Sequence, residues 1–299
     1  MPREFPITPY DPSRPKRVIF SADDFGMSPG VNRGIIAAHR DGVLTNASIM
    51  VNGAAYAEAV EQARACPRLG VGLHLVLLQG RATVPHAAAP ALVDTAGMFS
   101  NKPVGTGLRY FFAPGLRPQL EREIRAQLEK FITTGLALSH VDGHLNIHMH
   151  PTVLEILLHL APQYGIRAMR VPREPLRISL RLDKRQRLRK LAESLTFRAL
   201  TAHAWRRLAE HGIRHPDQLF GLHQSGHVTE AYLLGVLQEL PSGVTEIYCH
   251  AAMLDTEARR WRPPGYDSEA ELAALTSPKV RAAIDAAGIV PISYCELAR

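Results

Sequence analysis

Arg17-Val18-Ile19-Phe20-Ser21-Ala22-Asp23-Asp24-Phe25-Gly26 begins as a short apolar run with β-branched residues and ends on two adjacent carboxylates before a glycine. Its first part, 17–22, reads as a buried strand, and the helical pattern over 31–40 follows after Met27-Ser28-Pro29. Working outward, the same alternation recurs. Further strands are expected at 46–51, 71–75, 137–141, 168–171, 246–249 and 289–293, with a weaker one at 218–221. Helical spacing fills 56–65, 119–133, 152–163, 230–239 and 269–286. Strand then helix, repeated about seven times, argues for a parallel α/β fold. The count predicts a distorted or incomplete (β/α) barrel of the TIM-barrel type, with a doubly wound sheet as the competitor. The 299 residues suit one barrel domain over 1–299, with insertions at about 77–117 and 172–215.

Composition narrows the function classes. Hydrophobic residues make up 46% and charged residues 21%, which excludes a disordered chain. No apolar run reaches the roughly 20 residues of a membrane span. The first residues, Met1-Pro2-Arg3-Glu4-Phe5-Pro6, lack a signal-peptide core, and Cys66, Cys249 and Cys295 show no paired spacing. A reduced, cytoplasmic chain is the expectation. The net charge of +7 is concentrated: 176–215 holds eleven Lys or Arg against three acids, an excess of eight, so the remainder is nearly neutral. Leu188, Leu191 and Leu195 recur there at helical spacing, with Trp205 and Leu208 further on. One reading is a pair of helices with a solvated basic face. The other is a peripheral platform for an anionic membrane at its inner face. With aromatics at 6% and no recognition motif, nucleic acid is not an expected partner. No oligomeric state is implied.

The residues suited to chemistry fall after expected strands. Asp23 and Asp24 follow the first, His74 ends another, Asp142 and His144 follow the next, Arg170 lies at 168–171, and His250 comes directly after Cys249. In a (β/α) barrel such positions converge on one face, where active sites sit. Adjacent carboxylates repel unless a cation or a proton compensates. A divalent metal on one and a proton-abstracting role for the other would resolve this; a helix N-cap pair is the plainer alternative. His74 alone could be a hydrogen-bonded core histidine. The run His140-Val141-Asp142-Gly143-His144-Leu145-Asn146-Ile147-His148-Met149-His150 is too dense in potential ligands and bases for packing to explain. His140, His148 and His150 can support ligands or structure rather than bind directly. An Asp with two His and an open position suits one divalent metal; imidazole favours zinc, and Mg, Mn, Co, Ni or Fe can take such a set.

The runs Ala22-Asp23-Asp24-Phe25-Gly26, Gly72-Leu73-His74-Leu75, His140-Val141-Asp142-Gly143-His144 and Tyr248-Cys249-His250 resemble those of the YdjC-like carbohydrate deacetylases, in family order and across nearly the whole chain. That family's best-known member acts on diacetylchitobiose, and its fold is a distorted (β/α) barrel. Leu75-Val76-Leu77, Val171-Pro172-Arg173-Glu174-Pro175 and the basic insertion look closest to the hopanoid biosynthesis-associated branch. The resemblance implies a metal-dependent N-deacetylase acting on an N-acetylglucosaminyl hopanoid, a soluble chitooligosaccharide being the alternative substrate. It implies Asp24, His74 and His144 as metal ligands, Asp23 as general base and His250 as general acid. His140, Asp142, His148 and Arg170 would support the ligands or meet substrate. Leu145-Asn146 stand where the chitobiose enzyme has histidines, so that enzyme's supporting roles do not transfer. A metal-dependent phosphoester hydrolase, using Arg170 and Arg173 on the anion, is a more distant alternative.

Overall fold

The computed structural model of the chain describes residues 14–298. Strand β1, Lys16–Phe25, is buried at every position from Val18 onward. Burial on both faces requires cover inside and out, the condition of a parallel sheet wrapped by helices. Helix α1, Pro29–Arg40, starts where the sequence offers a cap: Ser28 accepts the Val31 N–H, and Pro29 tolerates the first turn. There follow β2 (Asn46–Ile49), α2 (Tyr56–Arg64), β3 (Gly70–Leu75), α3 (Pro103–Phe112), α4 (Arg117–Ile132), β4 (Leu138–Gly143) and α5 (Pro151–Tyr164). Next come α6 (Leu176–Leu182), α7 (Arg187–Glu210), β5 (Gln218–Phe220), α8 (Glu230–Glu239) and β6 (Gly243–Cys249). The described chain closes with α9 (Thr256–Trp261), α10 (Ser268–Leu275), α11 (Pro278–Ala286), β7 (Val290–Pro291) and α12 (Tyr294–Leu297).

The strands pair in parallel in the order β4-β3-β2-β1-β6-β5, with β7 added beside the start of β1. The segment expected as a strand at 168–171 forms only single bridges, Val141 to Met169 and Ala168 to Arg214. On its other side the Leu219 N–H donates to the Arg173 carbonyl, so the segment lies between β4 and β5. Pro172 has no N–H to extend a ladder there. The outcome is the incomplete (β/α) barrel that the alternation predicts. One detail differs from expectation: the helix expected over 269–286 is two, because Ser277 caps a new start before Pro278. The insertion at 77–117 contains α3.

Apolar side chains divide into an outer and an inner set. The main cluster lies between sheet and helices, with Phe20, Ile49, Leu73 and Leu75 packed against Ile35, Leu120, Ile124 and Leu157 among others. A separate small cluster of Ile19, Ala168, Val244, Ile292 and Tyr294 closes the inside of the barrel near the strand starts. Above that plug, toward the strand ends, the interior becomes polar.

Candidate metal centre and active site

The polar interior is built in layers on Tyr294. The Tyr294 ring stacks on His140 with centroids 4.0 Å apart, and its hydroxyl donates to Glu246 at 2.6 Å. Its backbone N–H donates to Asn46. Gly72 leaves room for this layer, because a Cβ there would run into the His140 ring. Glu246 in turn holds Arg170 through Nε at 3.0 Å, and Arg170 also lies 4.5 Å over the Tyr248 ring. Arg170 is fully buried, and its guanidinium grips Asp23 with two hydrogen bonds of 2.7 Å. Asp142 Oδ2 is 2.9 Å from the same guanidinium. Burial opposes charge on Arg170, yet Asp142, Asp23 and Glu246 hold its pKa well above the ordinary value.

The next layer meets the cleft. In a regular strand neighbouring side chains point to opposite faces. β1 breaks this rule: its register to β2 shifts between Ala22 and Phe25, and Asp24 has φ 68°. A bulge with an aspartate in the left-handed region, which this residue tolerates, brings both Asp23 and Asp24 to the cleft wall. Neither carboxylate caps α1, since Ser28 does so. Asp24 Oδ1 lies 3.3 Å from His74 Nε2 and 3.2 Å from His144 Nδ1. Its Oδ2 accepts from Arg262 Nη1 at 2.6 Å. Burial works against ionisation of Asp24, but Arg262 and the two histidines keep its carboxyl well below the usual range. On the far side of His74, Nδ1 stands 2.8 Å from Asp142 and 3.1 Å from Ser48 Oγ.

Three donors of this kind fit a divalent cation. Asp24, His74 and His144 offer one ligand atom each, all within 4.8 Å of one another. Two of the separations, 3.3 and 3.2 Å, are close to the edge of about 3.4 Å that tetrahedral bonds of about 2.1 Å would give. Asp142 fixes His74 with Nδ1–H as donor, which leaves the Nε2 lone pair toward Asp24, the usual arrangement around a ligand histidine. Charge agrees. Formally four carboxylates (Asp23, Asp24, Asp142 and Glu246) face two guanidiniums (Arg170 and Arg262), leaving two negative charges. Without a cation the site draws a proton: despite burial, Asp142 and Asp24 push His74 up to about 10.

Of the expected site residues, the structure brings Asp23, Asp24, His74, His144 and His250 to one cleft of about 190 Å³. Asp142, Arg170 and His140 lie beneath it, buried. His148 is also buried and donates from Nε2 to the Arg170 carbonyl at 3.1 Å. His150 faces elsewhere and donates to the Gly107 carbonyl at 3.0 Å. His250 is held by its backbone N–H on Glu271 and edge-on to Tyr248 and Tyr266. Burial and then Arg262 lower its pKa to about 4. Sequence reasoning missed Asn46, Ser48, Glu246, Arg262 and Tyr294. Asn46 and Ser48, two apart in an apolar strand, and Glu246 within another, carried the period-two signal of an inward polar face. Arg262, on the turn after α9, carried no such signal.

The fold and the site together define a barrel protein of hydrolase type, with a candidate metal centre at the carboxyl ends of its strands. More particularly, the chain belongs to the YdjC-like protein family, whose model matches residues 17–286. A carbohydrate deacetylase of Brevibacillus brevis is 43% identical over 150 residues, 50% of this chain and 57% of that protein. Carbohydrate deacetylases of Geobacillus stearothermophilus and Vibrio vulnificus YJ016 are 31% and 33% identical over 283 residues, each match covering 94% of this chain and 98% and 96% of those proteins. The crystal structure of an Enterococcus faecalis V583 protein, named for cellobiose-phosphate cleavage, superposes with a TM-score of 0.74 at 27% identity. That match covers 95% of this chain and 100% of the other.

Proposed function

We propose that the protein is a metal-dependent N-deacetylase that hydrolyses the acetamide of an N-acetylglucosaminyl group. The convergence of Asp24, His74 and His144 on one point, with Asp23 beside them in the cleft, carries this reading. The relatives named as carbohydrate deacetylases support the substrate class. A cation bound to those three residues would supply Lewis acidity toward a carbonyl oxygen and lower the pKa of water.

Asp23 takes the proton of the attacking water. Arg170 fixes the carboxylate of Asp23 from behind, so its orientation does not depend on substrate. His250, neutral at rest because its pKa is lowered to about 4, takes up a proton from solvent and passes it to the departing amine, while Asp23 releases to solvent the proton it took from water. Water and acetamide become acetate and free amine. In this reading the sugar is carried by a hopanoid lipid, and 176–215 contacts an anionic membrane; a soluble chitooligosaccharide is the second substrate reading. Phosphoester hydrolysis loses its residues: three carboxylates occupy Arg170, and Arg173 stacks on Trp205 at 5.0 Å.

Metal analysis and acetate release from N-acetylglucosamine conjugates test the proposal. His74→Ala and His144→Ala should lose the metal while remaining folded. Asp23→Asn should keep it and lower turnover by roughly 10²–10⁴-fold. Full metal occupancy and turnover in either histidine variant would sink the ligand assignment.

A further inference from the structure

Helix α3 is built inside out. The side of it that packs carries Thr106, Gly107 and Tyr110: Tyr110 OH donates to the Leu77 carbonyl, Thr152 Oγ1 donates to the Tyr110 carbonyl, and His150 donates to that of Gly107. Its outward side carries Val104, Leu108, Phe111 and Phe112, which share one face at spacings of four, three and one. These four are 76%, 55%, 55% and 73% exposed. Isolated exposed apolar residues are ordinary, but four large ones on one helical face mark an interaction surface.

Position and charge say what kind. Through His150, α3 is tied to the turn after β4 that carries His144 and the exposed, cleft-lining Leu145. On α7, whose Arg189 and Phe197 line the cleft, Leu188, Leu191 and Leu195 form a second exposed apolar stripe. Between Asp94 and Glu121 the sequence contains no acid, only Lys102, Arg109 and Arg117, and Lys102 and Arg109 are exposed on or beside α3. A symmetric pairing of two copies through this face would set those cations against themselves with no local acid to offset them. An apolar face flanked by cations matches an anionic lipid surface, where the rings enter the acyl boundary and the cations meet headgroups.

We propose that the outward face of α3 is a docking surface for an anionic bilayer, seating the protein with the mouth of its cleft near the membrane. This deepens the membrane-contact reading above and rests on it, but it moves the apolar anchor from the basic segment to α3. The test is co-sedimentation of the full chain with vesicles of phosphatidylglycerol and phosphatidylcholine, against phosphatidylcholine alone. Wild type should bind the anionic vesicles and be released by high salt. Phe111→Ser with Phe112→Ser should weaken binding at least tenfold, while acetate release from a soluble chitooligosaccharide stays unchanged. Lys102→Glu with Arg109→Glu should erase the preference for anionic lipid. Absent vesicle binding, or binding untouched by the double serine variant, overturns the proposal. So does analytical ultracentrifugation showing a wild-type dimer that this variant dissolves, because a second copy is then the occupant. If vesicles bind as expected but no N-acetylated sugar releases acetate, the deacetylase reading fails and the docking surface stands.

Discussion

Asp24 is held from two directions, and each of its oxygens has a different task. Oδ1 faces His74 and His144, while Oδ2 is held by Arg262. Arg262 therefore keeps the carboxylate ionised and turned toward the candidate metal position. Removing such a supporting group typically weakens metal affinity by about 10–100-fold. Arg262→Ala should show a loss of that size in a metal titration, with Arg262→Lys recovering part; unchanged affinity would leave Arg262 without this role. Glu271 offers a pH signature. Burial raises its pKa to about 7 from 4.5, against the backbone N–H groups of Val228 and His250 that favour its charge. A carboxyl with a raised folded pKa binds more protons in the native state, so its contribution to stability is complete below 4.5 and disappears as pH climbs through about 7. Thermal melts should therefore show stability falling across that window, and Glu271→Gln should flatten the slope.

Among the elements, β1 and β3 show how strands are adapted to hold chemistry. A regular β1 would send Asp23 and Asp24 to opposite faces; the bulge and the φ of 68° at Asp24 turn both toward the cleft. In β3, Gly70 and Gly72 alternate with Val71 and Leu73, so the inward side is bare where Asn46 and His140 cross it. A Cβ in Gly72→Ala would collide with the ring and backbone of His140 and disturb its stack on Tyr294. Such overpacking costs about 1–3 kcal/mol. The loss should appear in denaturant unfolding together with weaker metal binding; a variant as stable as wild type would show that the ring has room to move. Helix α7 shows the same point on the surface. Its segment reads as strongly basic, yet Lys190 is buried and bonded to Asp183 at 3.0 Å, beside Gln224. Lys190 and Arg207, which grips Glu155 of α5 with two hydrogen bonds of 2.7 Å, anchor the insertion, while cations such as Arg185 and Arg206 are exposed.

Across the whole molecule, the site depends on the far end of the chain. Tyr294, from the last helix, plugs the barrel and supports His140 and Glu246, which support Asp142 and Arg170, which hold His74 and Asp23. Tyr294→Phe keeps the stack and leaves Glu246 short of one donor, an expected loss of about 1–3 kcal/mol. Tyr294→Ala opens a cavity as well and should cost about 3–5 kcal/mol, with metal binding weakened although the residue never touches the cleft. A Tyr294→Ala protein with normal stability and metal affinity would disprove this dependence. No helix among the described residues is long and apolar enough to cross a membrane.

The sequence by itself determined the alternation of strand and helix, because apolar period and cap residues are local properties. It also placed Asp23, His74, His144 and His250 at strand ends that a parallel barrel brings together, whereas the turn of Asp24 into the same cleft depends on the bulge in β1. Segment 168–171 was legible as a strand carrying Arg170, but in the structure it forms only single bridges. Tertiary structure alone decided the roles of Arg262, Glu246 and Tyr294, each separated by many residues from the side chain it holds. It also decided which side of α3 packs. Helical periodicity reports that a helix has an apolar face, but neighbours such as Leu77, His150 and Thr152 select the face that turns inward. Here they select the polar one, through hydrogen bonds that no short stretch of sequence encodes.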